Sequence, residues 1–586
     1  MIKILKNLNW KEWLMIAASV LLIAGQVFLD LKLPDYMTEI TTHLQTGANN
    51  MNAIWTAGGY MLACALGSAI LSVVVGFFAA RIGAGLSKRL RECVYLKVQS
   101  FSKNEMKKFS TASLITRSTN DITQVQFFVA MGLQVIVKAP IMAIWAIIKI
   151  SGKSWQWSLI TVAAVVILLV TIISIIIVCL PKFKKLQKQT DDINKVTREN
   201  LTGLKVVRAF NAEEFQSEKF EEVNENLTST HLFVSKRMVI FSPVLHFIMS
   251  SLSLAIYWVG AYLINSAAML DKITLFSDMI VFTSYSMQII MAFMMLVMIF
   301  MMLPRATVSA KRINEVLNTE SSIKDGVGVV PTEEGTIEFN NVYFKYPDAS
   351  EYVLENITFS VKKGETVAFI GSTGSGKSTL IDLVPRFYDV TSGEVKVNGN
   401  NVKDYKLNDL HNLIGYISQK SVLFSGSVTE NIGFGENENG KPTEEDIKTA
   451  IRQAQAKDFV EKMPEGYDAE ISQGGKNVSG GQKQRLSIAR AFARKPEIFI
   501  FDDSFSALDY KTDSILRSTI ETELKDVTCL IVAQRIGTIK DADKIIVLNE
   551  GKMVGMGKHK ELLENCEIYK EIALSQLSKE ELEHAW

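Results

Sequence analysis

Cysteine is scarce and scattered in this 586-residue chain. Cys64, Cys93, Cys179, Cys529 and Cys566 form no CxxC pair and no metal-ligand spacing, which excludes a disulfide framework and a zinc site. Net charge is equally small: 63 Lys and Arg stand against 62 Asp and Glu, so no electrostatic case exists for a nucleic-acid partner. Charged residues make up 21% of the chain, below the ~25% of soluble domains, while hydrophobic residues reach 48%. That balance excludes a disordered chain and points to segments buried in a lipid bilayer.

The apolar residues are unevenly placed. Up to about Leu303 they form long runs; beyond about Lys311 short β-rich runs alternate with helical stretches and glycine turns. The expected layout is a membrane domain over 1–310, a linker over 311–335 and an α/β domain over 336–586. Crossing the ~30 Å hydrocarbon layer takes roughly 20 apolar residues. Six stretches qualify, centred on 14–31, 53–80, 127–150, 157–180, 239–264 and 279–303. The basic start of the chain runs into the first of them without a small-residue cleavage site, so an uncleaved first membrane helix is expected.

Lysine and arginine counts set the orientation. Residues 81–121 carry Arg81, Lys88, Arg89, Arg91, Lys97, Lys103, Lys107, Lys108 and Arg117, and residues 181–237 carry Lys182, Lys184, Lys185 and Lys188 among others. Both connections are expected in the cytoplasm, with both termini. The connections 30–52, 151–154 and 267–277 are poor in basic residues and are expected outside. Structureless loops as long as the two cytoplasmic connections are uncommon, so these should be helical extensions of the spans. Within the membrane, Met287, Met291, Met294, Met298 and Met302 recur at steps of three or four. Such a flexible, polarizable stripe suits an adaptable substrate cavity, and helix packing explains it equally well. Lys138, in an apolar run just before Pro140, is a second cavity candidate, with snorkelling towards the interface as the alternative.

The second half carries the clearest chemistry. Gly371-Ser372-Thr373-Gly374-Ser375-Gly376-Lys377-Ser378-Thr379 fits GxxxxGK[ST] and follows the apolar run 366–370. Glycines let backbone N–H groups wrap a phosphate, Lys377 can reach the β- and γ-phosphates, and Ser378 can ligate Mg²⁺. A second apolar run, Ile498-Phe499-Ile500-Phe501, reads as a strand buried on both faces and ends in Asp502, which can hold the same cation. Between them, Ser479-Gly480-Gly481-Gln482 offers a hydroxyl and close backbone N–H groups at a helix start.

The phosphate loop, the Ser-Gly-Gly-Gln segment, the strand ending in Asp502 and the following Ser506-Ala507-Leu508-Asp509 together resemble the nucleotide-binding domain of ABC transporters. A six-span domain followed by such a domain resembles a bacterial ABC exporter half-transporter. The fold so implied is a six-helix all-α transmembrane domain followed by an α/β P-loop nucleotide-binding domain. The resemblance implies ATP and Mg²⁺ as ligands, Tyr346 as the aromatic that stacks on adenine, and Gln419 as a glutamine that senses Mg²⁺ and faces the membrane domain. It assigns Asp509 to the loop after the catalytic strand. It also implies that two such domains close head to tail, so that Ser479, Gly480, Gly481 and Gln482 serve the ATP held by the other chain.

Two departures from the family pattern carry most information. Where the family has Glu directly after the strand-ending Asp, this chain has Asp503, withdrawing the carboxylate by one methylene. A misplacement of about 1 Å can cost roughly 100-fold in rate, so slow hydrolysis is expected at this site. Where the family has a γ-phosphate-contacting His, this chain has Gln534, which cannot become cationic. Gln473 stands where exporters commonly have Glu. Asp502, Asp503 and Gln534 thus form a degenerate catalytic set beside an intact signature, a pattern that resembles heterodimeric multidrug exporters. The partner so implied is a second half-transporter with intact catalytic Glu and His, and the expected cargo is a small amphipathic molecule moved across the bacterial plasma membrane. A homodimeric lipid or peptide exporter and an ATP-gated regulator are the competing readings.

Overall fold

The computed structural model describes residues 2–45, 51–437 and 440–576. It divides into two units, one of Met1–Gln99 with Thr111–Asn318 and one of Ser100–Ser110 with Thr319–Trp586.

The first unit is built from helices α1 (Trp10–Gln45) and α2 (Met51–Gln99), then, beyond the short α3 (Lys103–Lys108) of the second unit, α4 (Asn120–Ser151), α5 (Trp155–Ala209), α6 (Glu213–Ser266) and α7 (Met269–Asn318). Six helices among the described residues are long and apolar enough to cross a membrane. At about 1.5 Å per residue a helix of 55 residues such as α5 is roughly 80 Å long, far more than a bilayer needs. The two long basic connections are therefore largely helical: α2 runs unbroken to Gln99, and α5 and α6 are separated only by a tight turn at Phe210–Ala212, where Asn211 has φ +50°.

Lipid-facing and core-facing residues separate cleanly on these helices. Along α5, Leu159, Val162, Val166, Val170, Ile173 and Ile177 are exposed, as side chains bathed in hydrocarbon should be. Trp157 and Leu168 turn inwards, and Trp157 packs 5.5 Å from Phe282 of α7. Polar side chains tie the helices across their buried faces: Thr161 and Ser286 hydroxyls lie 2.9 Å apart, and Ser309 donates to Asp121 at 2.7 Å.

Helix ends differ from the sequence expectation in one respect. The stretch 30–52 reads as an outer connection because Asp30, Lys32, Asp35 and Glu39 interrupt the apolar run, yet α1 continues to Gln45. Charge ends hydropathy, not helix. These acids find partners instead, Asp30 with Lys138 at 3.2 Å and Asp35 with Lys149 at 2.8 Å, while Tyr285 donates to Asp35 at 2.6 Å. Likewise α7 begins at Met269, inside the expected outer connection 267–277, and runs to Asn318.

The second unit holds two main sheets. Strands β1 (Ile337–Phe344), β2 (Leu354–Val361) and β4 (Ser392–Val397) pair antiparallel in the order β2-β1-β4. The larger sheet contains β3 (Thr366–Gly371), β5 (Ile414–Ile417), β6 (Ile498–Asp502), β7 (Thr528–Val532), β8 (Lys544–Asn549) and β9 (Lys552–Gly557) in the order β9-β8-β3-β7-β6-β5. All its pairs are parallel except β8 with β9. Its central strands are apolar throughout because both faces are covered. Ala368, Ile370, Phe499, Phe501 and Ile531 enter one core, and Val367, Phe369, Ile498, Ile500 and Leu530 the other, in strict alternation.

Phe499 is 1% exposed and packs 5.1 Å from Phe492. Phe499→Ala should remove about 3–5 kcal/mol from this unit, seen as a lowered unfolding midpoint in detergent-solubilised chain. An unchanged midpoint would contradict the packing described.

Candidate nucleotide site

Register places the site. Val532 on β7 is level with Phe369 on β3 and with Asp502 on β6, so the loop leaving β3 and the acidic end of β6 emerge side by side at the carboxyl edge of the sheet. That edge is where open parallel sheets bind ligands. The loop needs its glycines. A Cβ on Gly371 would lie 2.0 Å from the Leu548 carbonyl oxygen, and Gly376 adopts φ +97° at the start of helix α8 (Lys377–Asp382).

Lys377 arches back over the loop, donating to the carbonyl oxygens of Gly371 at 2.9 Å and Ser372 at 2.8 Å. Ser372, Thr373 and Gly374 form the exposed crown of the loop, while Ser375 is buried beneath it. Ser378 donates to Asp502 at 2.7 Å. The Thr379 hydroxyl lies 2.9 Å from the Tyr346 hydroxyl, so the aromatic stands directly beside the loop.

Asp503 follows β6 with φ +49°, an uncommon conformation that Asp tolerates better than most residues. Its N–H donates to the Val532 carbonyl at 3.0 Å, and its own carbonyl accepts from Ser506 at 2.9 Å. One carboxylate oxygen, Oδ2, accepts from both Gln419 at 3.2 Å and Gln534 at 2.8 Å. The loop bearing Gln534 is clamped in turn by Gln576, which donates to the Gln534 carbonyl and accepts from the Ile536 N–H.

The structure thus brings together Tyr346, the loop from Gly371 to Thr379, Gln419, Asp502, Asp503 and Gln534. No described hydrogen bond joins this group to Ser479, Gly480, Gly481 or Gln482. Ser479 and Gly480 are exposed, and Ser479 caps helix α9 (Gly480–Ala493) in a reciprocal box with Gln482. Asp509 caps helix α10 (Tyr510–Glu523) through the Thr512 N–H at 3.0 Å.

Sequence reasoning missed several residues that the fold adds. Tyr416 on β5 donates to Asp382 at 3.1 Å and lies 3.5 Å from Asp502. Lys103 on α3 pairs with Asp382 at 2.7 Å, and its ammonium lies 4.3 Å from the Phe387 ring centroid. Lys107, one turn on, lies 4.1 Å from the Tyr346 centroid. A signal for α3 was present: Ser102 and Glu105 have capping-box spacing, and the box is formed. Nothing local marked Tyr416 or Asp382.

Three carboxylates, Asp382, Asp502 and Asp503, crowd this edge. Burial raises the Asp502 carboxyl above the usual range, Asp382 and Asp503 push the same way, and Ser378 donation opposes them. Burial lowers the Lys377 ammonium, against the pull of Asp503 and Asp502. Such a site is short of positive charge, which fits a divalent cation held by Ser378, Gln419 and Asp502 together with phosphate oxygens. No cluster of three His, Cys, Asp or Glu among the described residues could hold a metal alone, so the phosphate would be part of the ligand set.

Comparisons agree with this geometry. Residues 354–506 match the ABC transporter model and residues 13–293 the ABC transporter transmembrane region model. An uncharacterized ABC transporter ATP-binding protein of Mycobacterium tuberculosis is 39% identical over 88% of this chain and 87% of its own length. YfiB, an uncharacterized ABC transporter ATP-binding protein of Bacillus subtilis, is 35% identical over 91% of each chain. A Staphylococcus aureus protein named for multidrug export is 34% identical over 81% of each. Among solved structures, a bacterial Atm1-family ABC exporter with ATP bound superposes with TM-score 0.80 at 22% identity, covering 96% of this chain and 98% of that one. The chain belongs to the ABC transporter family. It is a multi-pass half-transporter with the ABC exporter fold, an ATP-binding ATPase coupled to transport, and members of this family work as dimers in a lipid bilayer.

Charge-assisted hydrogen bonds from the Lys377 ammonium to a phosphate would be worth about 1.5–3 kcal/mol, so Lys377→Ala is expected to weaken ATP binding roughly 10- to 100-fold, measured with a fluorescent nucleotide. The raised carboxyl of Asp502 gives a pH prediction. A cation held at Asp502 would have to displace its proton, so Mg-ATP binding is expected to release protons and weaken as pH falls, beginning above the ordinary carboxylate range. Calorimetry in buffers of different ionisation enthalpy should show that release in the native chain and its loss in Asp502→Asn.

Proposed function

We propose that this chain exports amphipathic small molecules as one half of a heterodimer, and that its own ATP site, with Mg²⁺ held at Ser378, Gln419 and Asp502, turns over slowly. The observation that carries this reading is the shared acceptor at Asp503: its Oδ2 is taken by the Gln419 and Gln534 amides. A carboxylate one methylene short and already holding two amides serves to tie two loops together better than to polarise water. Gln534 is satisfied in the same contact and brings no cationic form to a γ-phosphate.

In this reading Tyr346 stacks on adenine, the loop 371–379 holds the phosphates, and the Ser479-Gly480-Gly481-Gln482 segment, exposed at Ser479 and Gly480, completes the partner's site with Asp509. Residues 1–310 form the membrane domain, 311–335 the linker and 336–586 the nucleotide-binding domain, in a bacterial plasma membrane with both termini cytoplasmic. Nucleotide-driven closure would turn the membrane helices outwards, and hydrolysis at the intact site would reset them. The relatives support export of drug-like cargo, since one is named for multidrug export.

Purification of the tagged chain from its native membranes in mild detergent, followed by mass spectrometry, tests the pairing. A stoichiometric family member with Glu at the position of Asp503 and His at that of Gln534 is expected. Recovery of this chain only with copies of itself would contradict it.

A further inference from the structure

Within the first unit, a cavity of about 280 Å³ opens between α1, α2 and α7, and its wall includes Asp30, Met37, Met61, Ser284 and Gln288. The methionine stripe of α7 does not reach it. Met298 and Met302 border a gap of only about 10 Å³ against α4, Met294 packs in the helical core, and Met291 is 45% exposed. Lys138 does not line the cavity either. It stands behind Asp30, 3.2 Å from Oδ2, while Ser68 donates to Oδ1.

The level of this cluster is within the apolar stretches. Ser68 and Lys138 lie near the middle of the runs 53–80 and 127–150, so Asp30, bonded to both, is held away from bulk water. An ion at such depth needs a partner, and it is by default a functional position. The pair is nevertheless unsealed: the side chains of Lys138 and Asp30 are 22% and 26% exposed. Beside them Gln288 carries an Oε1 atom that is buried and finds no hydrogen-bond partner among the described residues. The cavity thus presents a carboxylate, with the matching ammonium outside its lining and the unpaired Gln288 amide oxygen buried within its wall. Apart from Ser284 its remaining surface is apolar and includes two methionines, whose flexible thioethers adapt to irregular and aromatic shapes.

We propose that Asp30 is an exchangeable counter-ion for the cationic head group of the cargo, with Lys138 as the resident ion that the cargo displaces. This inference rests on the proposed export of amphipathic molecules and narrows that class to cations. Exchange is what makes it feasible. Removing Lys138 without a replacement would leave a half-buried carboxylate unpaired, whereas a substrate cation keeps Asp30 paired throughout. The lysine stem is flexible enough to withdraw its ammonium. A volume near the lower end of drug-sized pockets, about 300 Å³, admits a head group while the apolar remainder of the cargo lies among the helices.

The test is equilibrium binding of tetraphenylphosphonium, a permanent cation, and of uncharged triphenylphosphine oxide to the transporter in lipid nanodiscs. Wild type should bind both. Asp30→Asn should lose about tenfold or more in affinity for the cation, equivalent to about 1.4 kcal/mol, with the neutral probe unchanged. Lys138→Gln, which removes the competitor, should bind the cation more tightly, and the double variant should resemble Asp30→Asn. If Asp30→Asn does not assemble, the sign of the Lys138→Gln effect decides: weaker cation binding overturns the proposal. Equal weakening of both probes by the two single variants would make the pair a structural clamp and overturn it also. Binding of the neutral probe with no preference for the cation at Asp30 overturns the counter-ion while leaving amphipathic cargo intact. Wild type that binds neither probe overturns the cargo reading and this inference with it.

Discussion

Asp503 is the point on which the nucleotide site is hung. Its backbone is fixed on both sides, by the Val532 carbonyl and by Ser506, and one oxygen of its carboxylate receives the amides of Gln419 and Gln534. Three loops that leave three different strands are thereby held at one atom. With Glu in place of Asp, the carboxylate would extend about one C–C bond further from the backbone. The shorter side chain exchanges reach for a stable junction, and the proposed slow water activation rests on that geometry.

Around this junction the charge is unbalanced. Asp382, Asp502 and Asp503 face Lys377 and Lys103, and burial drives Asp502 towards its protonated form. Tyr416 spans Asp382 and Asp502, so the docked helix α3 connects through Lys103, Asp382 and Tyr416 to the residue best placed to meet a cation. Lys107 lies over Tyr346 in the same way. The short helix that follows α2 is therefore bonded to both ends of the nucleotide site, the aromatic and the acidic. The membrane unit obeys the same rule in a drier setting, where Asp30 and Asp35 inside α1 are met by Lys138 and Lys149 from α4, with Ser68 and Tyr285 adding hydrogen bonds.

Much of this was legible in the amino-acid order. Continuous apolar runs such as 498–501 announced strands buried on both faces, and the alternation of Phe499 and Phe501 against Ile498 and Ile500 between two cores is the physical reason the run has no polar member. The six long apolar stretches fixed the fold of the first half. What local patterns could not carry were contacts between distant residues: Gln419 and Gln534 are more than a hundred positions apart and meet only because β5, β6 and β7 are neighbours. The pairing of Asp30 with Lys138 was hidden for the same reason. Hydropathy read Asp30 as the end of a span, whereas a partner on another helix lets the helix run on.

Whether the geometry of Asp503 limits ATP turnover, as proposed, is measured most directly by hydrolysis in the assembled transporter with the proposed partner's catalytic carboxylate neutralised. Asp503→Glu introduced in that background should raise the residual rate by roughly tenfold to 100-fold, the range that restoring about 1 Å of reach implies. An unchanged or lower rate would contradict the account and place the limit elsewhere in the site.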